Sequence, residues 1–153
     1  MQLPVEKNSK LAKNLTLASA LSLTVVTLLS VLQVLYLVAL SNTDLSKLKE
    51  LTAEQAAVIR ESITLPTILF FAGIALIYLI VTVFMYLFVM KIKKGKAISV
   101  IPYYVSILML AYSFLQSAIA VNIFNAALYF IVGVVVGFAV FYGYKYKKSI
   151  VSE

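Results

Sequence analysis

Four stretches of this chain, residues 14–40, 66–90, 97–121 and 126–144, contain no Asp, Glu, Lys, Arg or His and are dominated by apolar side chains. About 20 helical residues, each rising roughly 1.5 Å, cross a hydrocarbon core of about 30 Å. Inside that core every backbone amide and carbonyl must be paired within the protein, so a single apolar stretch crosses it as a helix. The spacing predicts an all-α integral membrane protein: one membrane domain, residues 1–153, folded as a bundle of four transmembrane helices over those four ranges. A water-soluble fold is excluded by the amount of apolar surface. Of 153 residues, 63% are hydrophobic and 12% charged, against roughly half and a quarter in ordinary globular chains. The first stretch is also longer than the roughly 7–15 apolar residues of a secretory signal, and reads as an uncleaved signal anchor behind a short polar tail, 1–13.

The charges that remain fix an expected orientation. Lys7, Lys10, Lys13, Lys91, Lys93, Lys94, Lys96, Lys145, Lys147 and Lys148 fall at one set of span ends. The opposite set has Lys47, Lys49 and Arg60, offset by Asp44, Glu50, Glu54 and Glu61. Because the cytoplasmic side retains Lys and Arg during insertion, both termini and the 91–96 turn are expected inside and the 41–65 segment outside. Tyr103, Tyr104, Tyr142, Tyr144 and Tyr146 gather near the inner ends, where amphipathic rings favour the headgroup layer. The net charge of +7 follows from this topology, and no nucleic-acid partner is expected, because the lysines flank spans and do not form a basic face interleaved with aromatics. Lys in place of Arg, with no Trp or Cys, is compatible with a bacterial plasma-membrane protein.

The 41–65 segment is long enough to carry structure of its own. Thr52-Ala-Glu-Gln55 has the spacing of a capping box and predicts a short helix from Ala53 to Ser62. Ala56, Ile59 and Ile63 share one face of that helix, and Leu45, Leu48 and Leu51 suggest a preceding turn; the whole segment is expected to lie on the bundle.

Within the spans, small and hydroxylated residues recur at helical spacing. Thr16, Ser19, Ser22, Thr27, Ser30 and Gln33 fall in one arc of the first span. Ala75, Tyr78, Thr82 and Tyr86 line the second, and Ser106, Ser113, Gln116 and Ser117 the third. In the fourth, Ala126, Tyr129, Gly133, Gly137, Val140 and Tyr144 align and include a GxxxG spacing. Lipid tails are as apolar as Leu, so small residues that let backbones approach and hydroxyls that bond across helices supply the association energy. Gly133 and Gly137 are accordingly expected to pack against Ser113 and Ser117. Gln33, Gln116, Tyr78 and Thr82 are candidates for a weakly polar cavity, and Lys91, Lys93, Lys94 and Lys96 for contact with anionic lipid headgroups.

Several chemistries are disfavoured. There is no Cys and no His, which removes thiolate nucleophiles, the commonest metal ligand and the usual neutral-pH proton carrier. Ion and proton relays normally place ionisable groups inside the spans. The carboxylates of the 41–65 segment alternate with Lys and Arg in the manner of a solvated helix surface and match no metal-ligand spacing. No cofactor, metal or catalytic residue is expected. The reading is a small non-enzymatic membrane protein, an accessory, scaffold or regulatory subunit acting through helix–helix and outer-loop contacts with a membrane-protein partner or a second copy. A small-molecule transporter or channel component is the alternative.

Overall fold

The computed structural model describes residues 4–45 and 52–151, and every regular element among them is an α-helix. In chain order these are α1 (Pro4–Ser41), α2 (Ala53–Ser62), α3 (Leu65–Lys93), α4 (Ile101–Ile119) and α5 (Ile123–Val151). Three of them, α1, α3 and α5, contain stretches of 34, 29 and 28 residues long and apolar enough to cross a membrane. Lys47, Leu48, Lys49, Glu50 and Leu51 lie outside the described residues.

The helix boundaries differ from the sequence expectations in two instructive places. The polar tail is not separate from the first span: α1 is already helical at Pro4, a residue whose missing N–H costs nothing in a first turn. The helix after the basic turn begins at Ile101, not near Ala97, with Pro102 in its first turn, where a missing N–H breaks no intrahelical bond. α4 is thereby only 19 residues long and carries three tyrosines, two of them in its first turn.

α2 starts as its capping box dictates. Thr52 accepts from the Gln55 amide at 3.2 Å, and the Gln55 side chain accepts from the Thr52 amide at 2.9 Å. Its expected inner face, Ala56, Ile59 and Ile63, is half-buried while Val58 is 61% exposed. No residue of α2 is fully buried, so the helix rests on its surroundings less closely than the sequence suggested.

Two turns close by the same device with different residues. After α3, the Lys96 amide donates to the Lys91 carbonyl at 2.9 Å and the Gly95 amide to Ile92 at 3.1 Å. After α4, the Asn122 amide donates to Ser117 at 2.8 Å and the Val121 amide to Ala118 at 3.1 Å. Both are Schellman caps, which need a left-handed residue at the position just past the helix. Gly95 meets that need at φ 64°, whereas Val121 is held at φ 56° despite its β-branch. Asn122 then serves a second purpose, its side-chain oxygen accepting from the Asn125 amide at 3.1 Å to start α5. Left-handed backbone costs an L-residue about 1–2 kcal/mol, and a glycine loses about 0.4–1 kcal/mol through unfolded-state entropy, so Val121→Gly should stabilise by up to about 1 kcal/mol. Thermal denaturation in detergent would measure it; a destabilised variant would mean that the valine side chain contributes packing that outweighs the strain.

The chain divides into two compact units, one holding residues up to Val26 and from Tyr78 onward, the other Thr27–Ile77. In the first unit, segments of α1, α3, α4 and α5 share a core whose largest fully buried side chains include Tyr78, Tyr103, Tyr146, Leu23, Met85 and Ile92. The second comprises the remainder of α1, α2 and the first half of α3; among its described residues Thr27, Ser30, Leu45 and Ala75 are buried.

Candidate functional site

The hydroxyl seams expected from sequence exist on three helices, and in the first unit they are joined by tyrosines. Thr16 donates its only hydroxyl proton to the Ala12 carbonyl at 2.6 Å. The 2.7 Å bond between Thr16 Oγ1 and the Tyr103 hydroxyl must therefore have Tyr103 as donor. Thr24 repeats the arrangement, donating to Ala20 at 2.8 Å and accepting from Tyr86 at 3.1 Å. Tyr103 is fully buried and stacks on Phe88 with ring centroids 5.7 Å apart. It thus ties α1 to α4 through its hydroxyl and α3 to α4 through its ring.

The residues expected to form a polar cavity separate into two groups. Tyr78 and Thr82 are buried: the Tyr78 hydroxyl bonds Ser113 Oγ at 2.8 Å, and Thr82 donates to the Tyr78 carbonyl at 2.7 Å. These groups are consumed by one another across α3 and α4. Gln33 and Gln116, the two side chains best able to hold a polar ligand, are instead exposed on α1 and α4. Ser19 is fully buried, and its hydroxyl has no hydrogen-bond partner among the described residues.

The glycine expectation needs correction. A Cβ built on Gly133 or Gly137 meets nothing within 4 Å, so this strip does not carry the close approach to Ser113 and Ser117 that its spacing suggested. Ser113 turns to Tyr78, and Ser117 is half-buried. α5 is rotated by about one residue from the expected phase, and buries Val132, Val136, Ala139, Gly143 and Tyr146 at alternating spacings of four and three. The close-approach glycine is Gly143, where a Cβ would lie 3.5 Å from Ile98 Cδ1 and 3.7 Å from the Tyr103 ring and hydroxyl. Nothing in the local sequence distinguishes Gly143 from the other two; the signal lies in Tyr103, whose bulk must be accommodated by some facing residue.

At the lysine-rich end, Lys91, Lys93, Lys94 and Lys96 are all exposed. Sequence reasoning missed that Tyr146 of α5, itself buried, reaches this turn: its hydroxyl donates to the carbonyls of Lys96 at 3.2 Å and Ile92 at 3.5 Å. In the second unit, a cavity of about 470 Å³ lies beside α2, with Leu45 and small residues on its walls and Arg60 and Glu61 among its polar groups.

The chain stands apart in comparison. No family model, curated protein or solved structure matches it.

Proposed function

We propose that this is a four-span bacterial plasma-membrane protein, with both termini and the 91–96 turn inside and the 41–65 segment outside. It acts without catalysis, as an accessory, scaffold or regulatory subunit that engages another membrane helix. Three crossings rest on α1, α3 and α5. The fourth is α4, whose 19 residues reach about 28 Å at roughly 1.5 Å per residue, close to the hydrocarbon thickness. Its hydroxyls lower its apolarity; Tyr103, Ser106 and Ser113 are buried, while Tyr104 in the first turn and Tyr112 are exposed. A single membrane domain with lipid as its solvent is the matching organisation.

The observation that carries the reading is the exposed amide of Gln33. It stands on α1 eight residues before Ser41, about 12 Å from the helix end at roughly 1.5 Å per residue, on a surface otherwise made of Leu32, Leu35 and Tyr36. A carboxamide has four hydrogen-bonding positions, and hydrocarbon satisfies none of them. A second helix supplies partners, at a gain of about 0.6–2 kcal/mol per such contact in lipid. The open Gly133 and Gly137 strip offers a place where another backbone can come close. The cavity edged by Arg60 and Glu61 gives the outer segment a polar contact of its own.

A photo-crosslinking amino acid placed at residue 33 in cells should yield a discrete protein adduct, whereas the same probe at Leu79, an exposed leucine of α3, should yield lipid adducts alone. Gln33→Leu should abolish association without altering the melting temperature of the isolated protein. Lipid adducts alone at both positions would overturn the proposal.

A further inference from the structure

The lysines at the ends of α3 and α5 are distant in sequence, yet the fold makes them one body. Gly95 in its left-handed conformation closes the Schellman cap that fixes the 91–96 turn. The buried Tyr146 side chain then fastens that turn to α5 through the carbonyls of Ile92 and Lys96. Since Tyr146 lies between Lys145 and Lys147 in sequence, the same residue sets the place of the α5 lysines relative to the turn.

Two ammonium groups are directed back along their helices toward the apolar spans. The Lys145 Nζ lies 4.3 Å from the Phe141 ring centroid and 5.7 Å from that of Tyr142, and the Lys91 Nζ lies 5.8 Å from that of Phe88. Lys93, Lys94, Lys96 and Lys147 are exposed beyond them. No Asp or Glu occurs anywhere from Ser62 to Ser152, so the nearest acidic residue to this cluster in sequence is Glu153, six residues beyond Lys147. A topology signal needs only charge near span ends and has no need of fixed geometry. Here the charges are anchored by a glycine cap, a buried tyrosine and ring contacts. They sit where two apolar helices leave the hydrocarbon, which is the level of lipid phosphates.

We propose that the 91–96 turn and the α5 end bearing Lys145 and Lys147, fastened by Tyr146, form one fixed site for the phosphate headgroup of an anionic phospholipid. The occupant is a lipid and not a soluble polyanion because Lys91 and Lys145 turn their charges toward the spans. The site requires bilayer insertion but neither the proposed partner nor the proposed orientation, so it can fail independently of them.

The test uses the full chain in nanodiscs of phosphatidylcholine containing a minor fraction of phosphatidylglycerol, with preference read from spin-labelled lipid bound at the protein surface. The wild-type protein should prefer phosphatidylglycerol, and a Lys93→Gln, Lys94→Gln, Lys96→Gln variant should lose about tenfold or more of that preference. Tyr146→Phe, which changes no charge, should lose about threefold, with its melting temperature in pure phosphatidylcholine reporting whether it folds. A relocation variant, Lys96→Gln with Ser99→Lys, keeps the net charge and leaves Tyr146 in place, and it too should lose preference. Full retention in the relocation variant would reduce the cluster to diffuse surface charge and overturn the proposal. So would an unchanged preference in the triple variant, or binding of a short RNA by a protein that shows no lipid preference.

Discussion

Tyr103→Ala should lower the stability of the detergent-solubilised protein by roughly 2–4 kcal/mol, while Tyr103→Phe should cost about 1 kcal/mol. The alanine variant removes a fully buried ring that stacks on Phe88 and covers Gly143. In lipid the unfolded reference is itself apolar, so the transfer term nearly vanishes and the loss consists of van der Waals contacts around the cavity. The phenylalanine variant keeps those contacts and removes only the donor to Thr16 Oγ1. Thr16 remains satisfied because its own proton goes to Ala12. Chemical denaturation of both variants separates the two contributions; equal losses would mean that the hydroxyl, and not the ring, organises this junction.

The second large effect is a contrast among glycines. Gly143→Leu should destabilise by about 1–3 kcal/mol or more, since the 3.5–3.7 Å around a built Cβ accepts one methyl and no further carbons. Gly143→Ala should be neutral or mildly stabilising, because the methyl meets ordinary contacts and alanine favours the helix by about 1 kcal/mol. Leucine at Gly133 or Gly137 meets open space and should leave the melting temperature of the isolated chain unchanged or higher. Melts of the four variants in one detergent decide the matter: a collapse at Gly133 or Gly137 with tolerance at Gly143 would reverse this assignment of the α5 seam.

That contrast shows where sequence reading reached and where it stopped. A hydroxyl in hydrocarbon is better placed facing protein, and of the seams read on that ground Thr16, Ser19, Thr27, Ser30, Tyr78, Thr82, Ser106 and Ser113 are buried, whereas Ser22 and Ser117 are half-buried and Gln33, Tyr86 and Gln116 are exposed. α5 carries Val, Ile, Phe or Gly on every face along most of its length, so no such requirement set its phase. The GxxxG spacing then pointed to a face about one residue away from the buried one. Thr52 and Gln55 announced α2 through chemistry contained within four residues. The bonds from Tyr103 to Thr16 and from Tyr146 to Lys96 bridge 87 and 50 positions, and no local pattern encodes such a pairing. The Gly95 cap had its usual residue as a signal, whereas the Val121 cap is imposed by the short connection between α4 and α5 against the preference of its side chain.

The direction of the tyrosine–threonine bonds bears on how this core treats protons. Tyr103 gives its proton to Thr16, which gives its own to the Ala12 carbonyl, and Tyr86, Thr24 and Ala20 repeat the sequence. A hopping file needs each member to accept a proton and release another, and a peptide carbonyl has none to release. Each chain therefore ends after two donors, inside the helix that received it. Hydroxyls bound in this way tie α1 to α4 and α3, and neither of the two chains by itself offers a path for proton hopping.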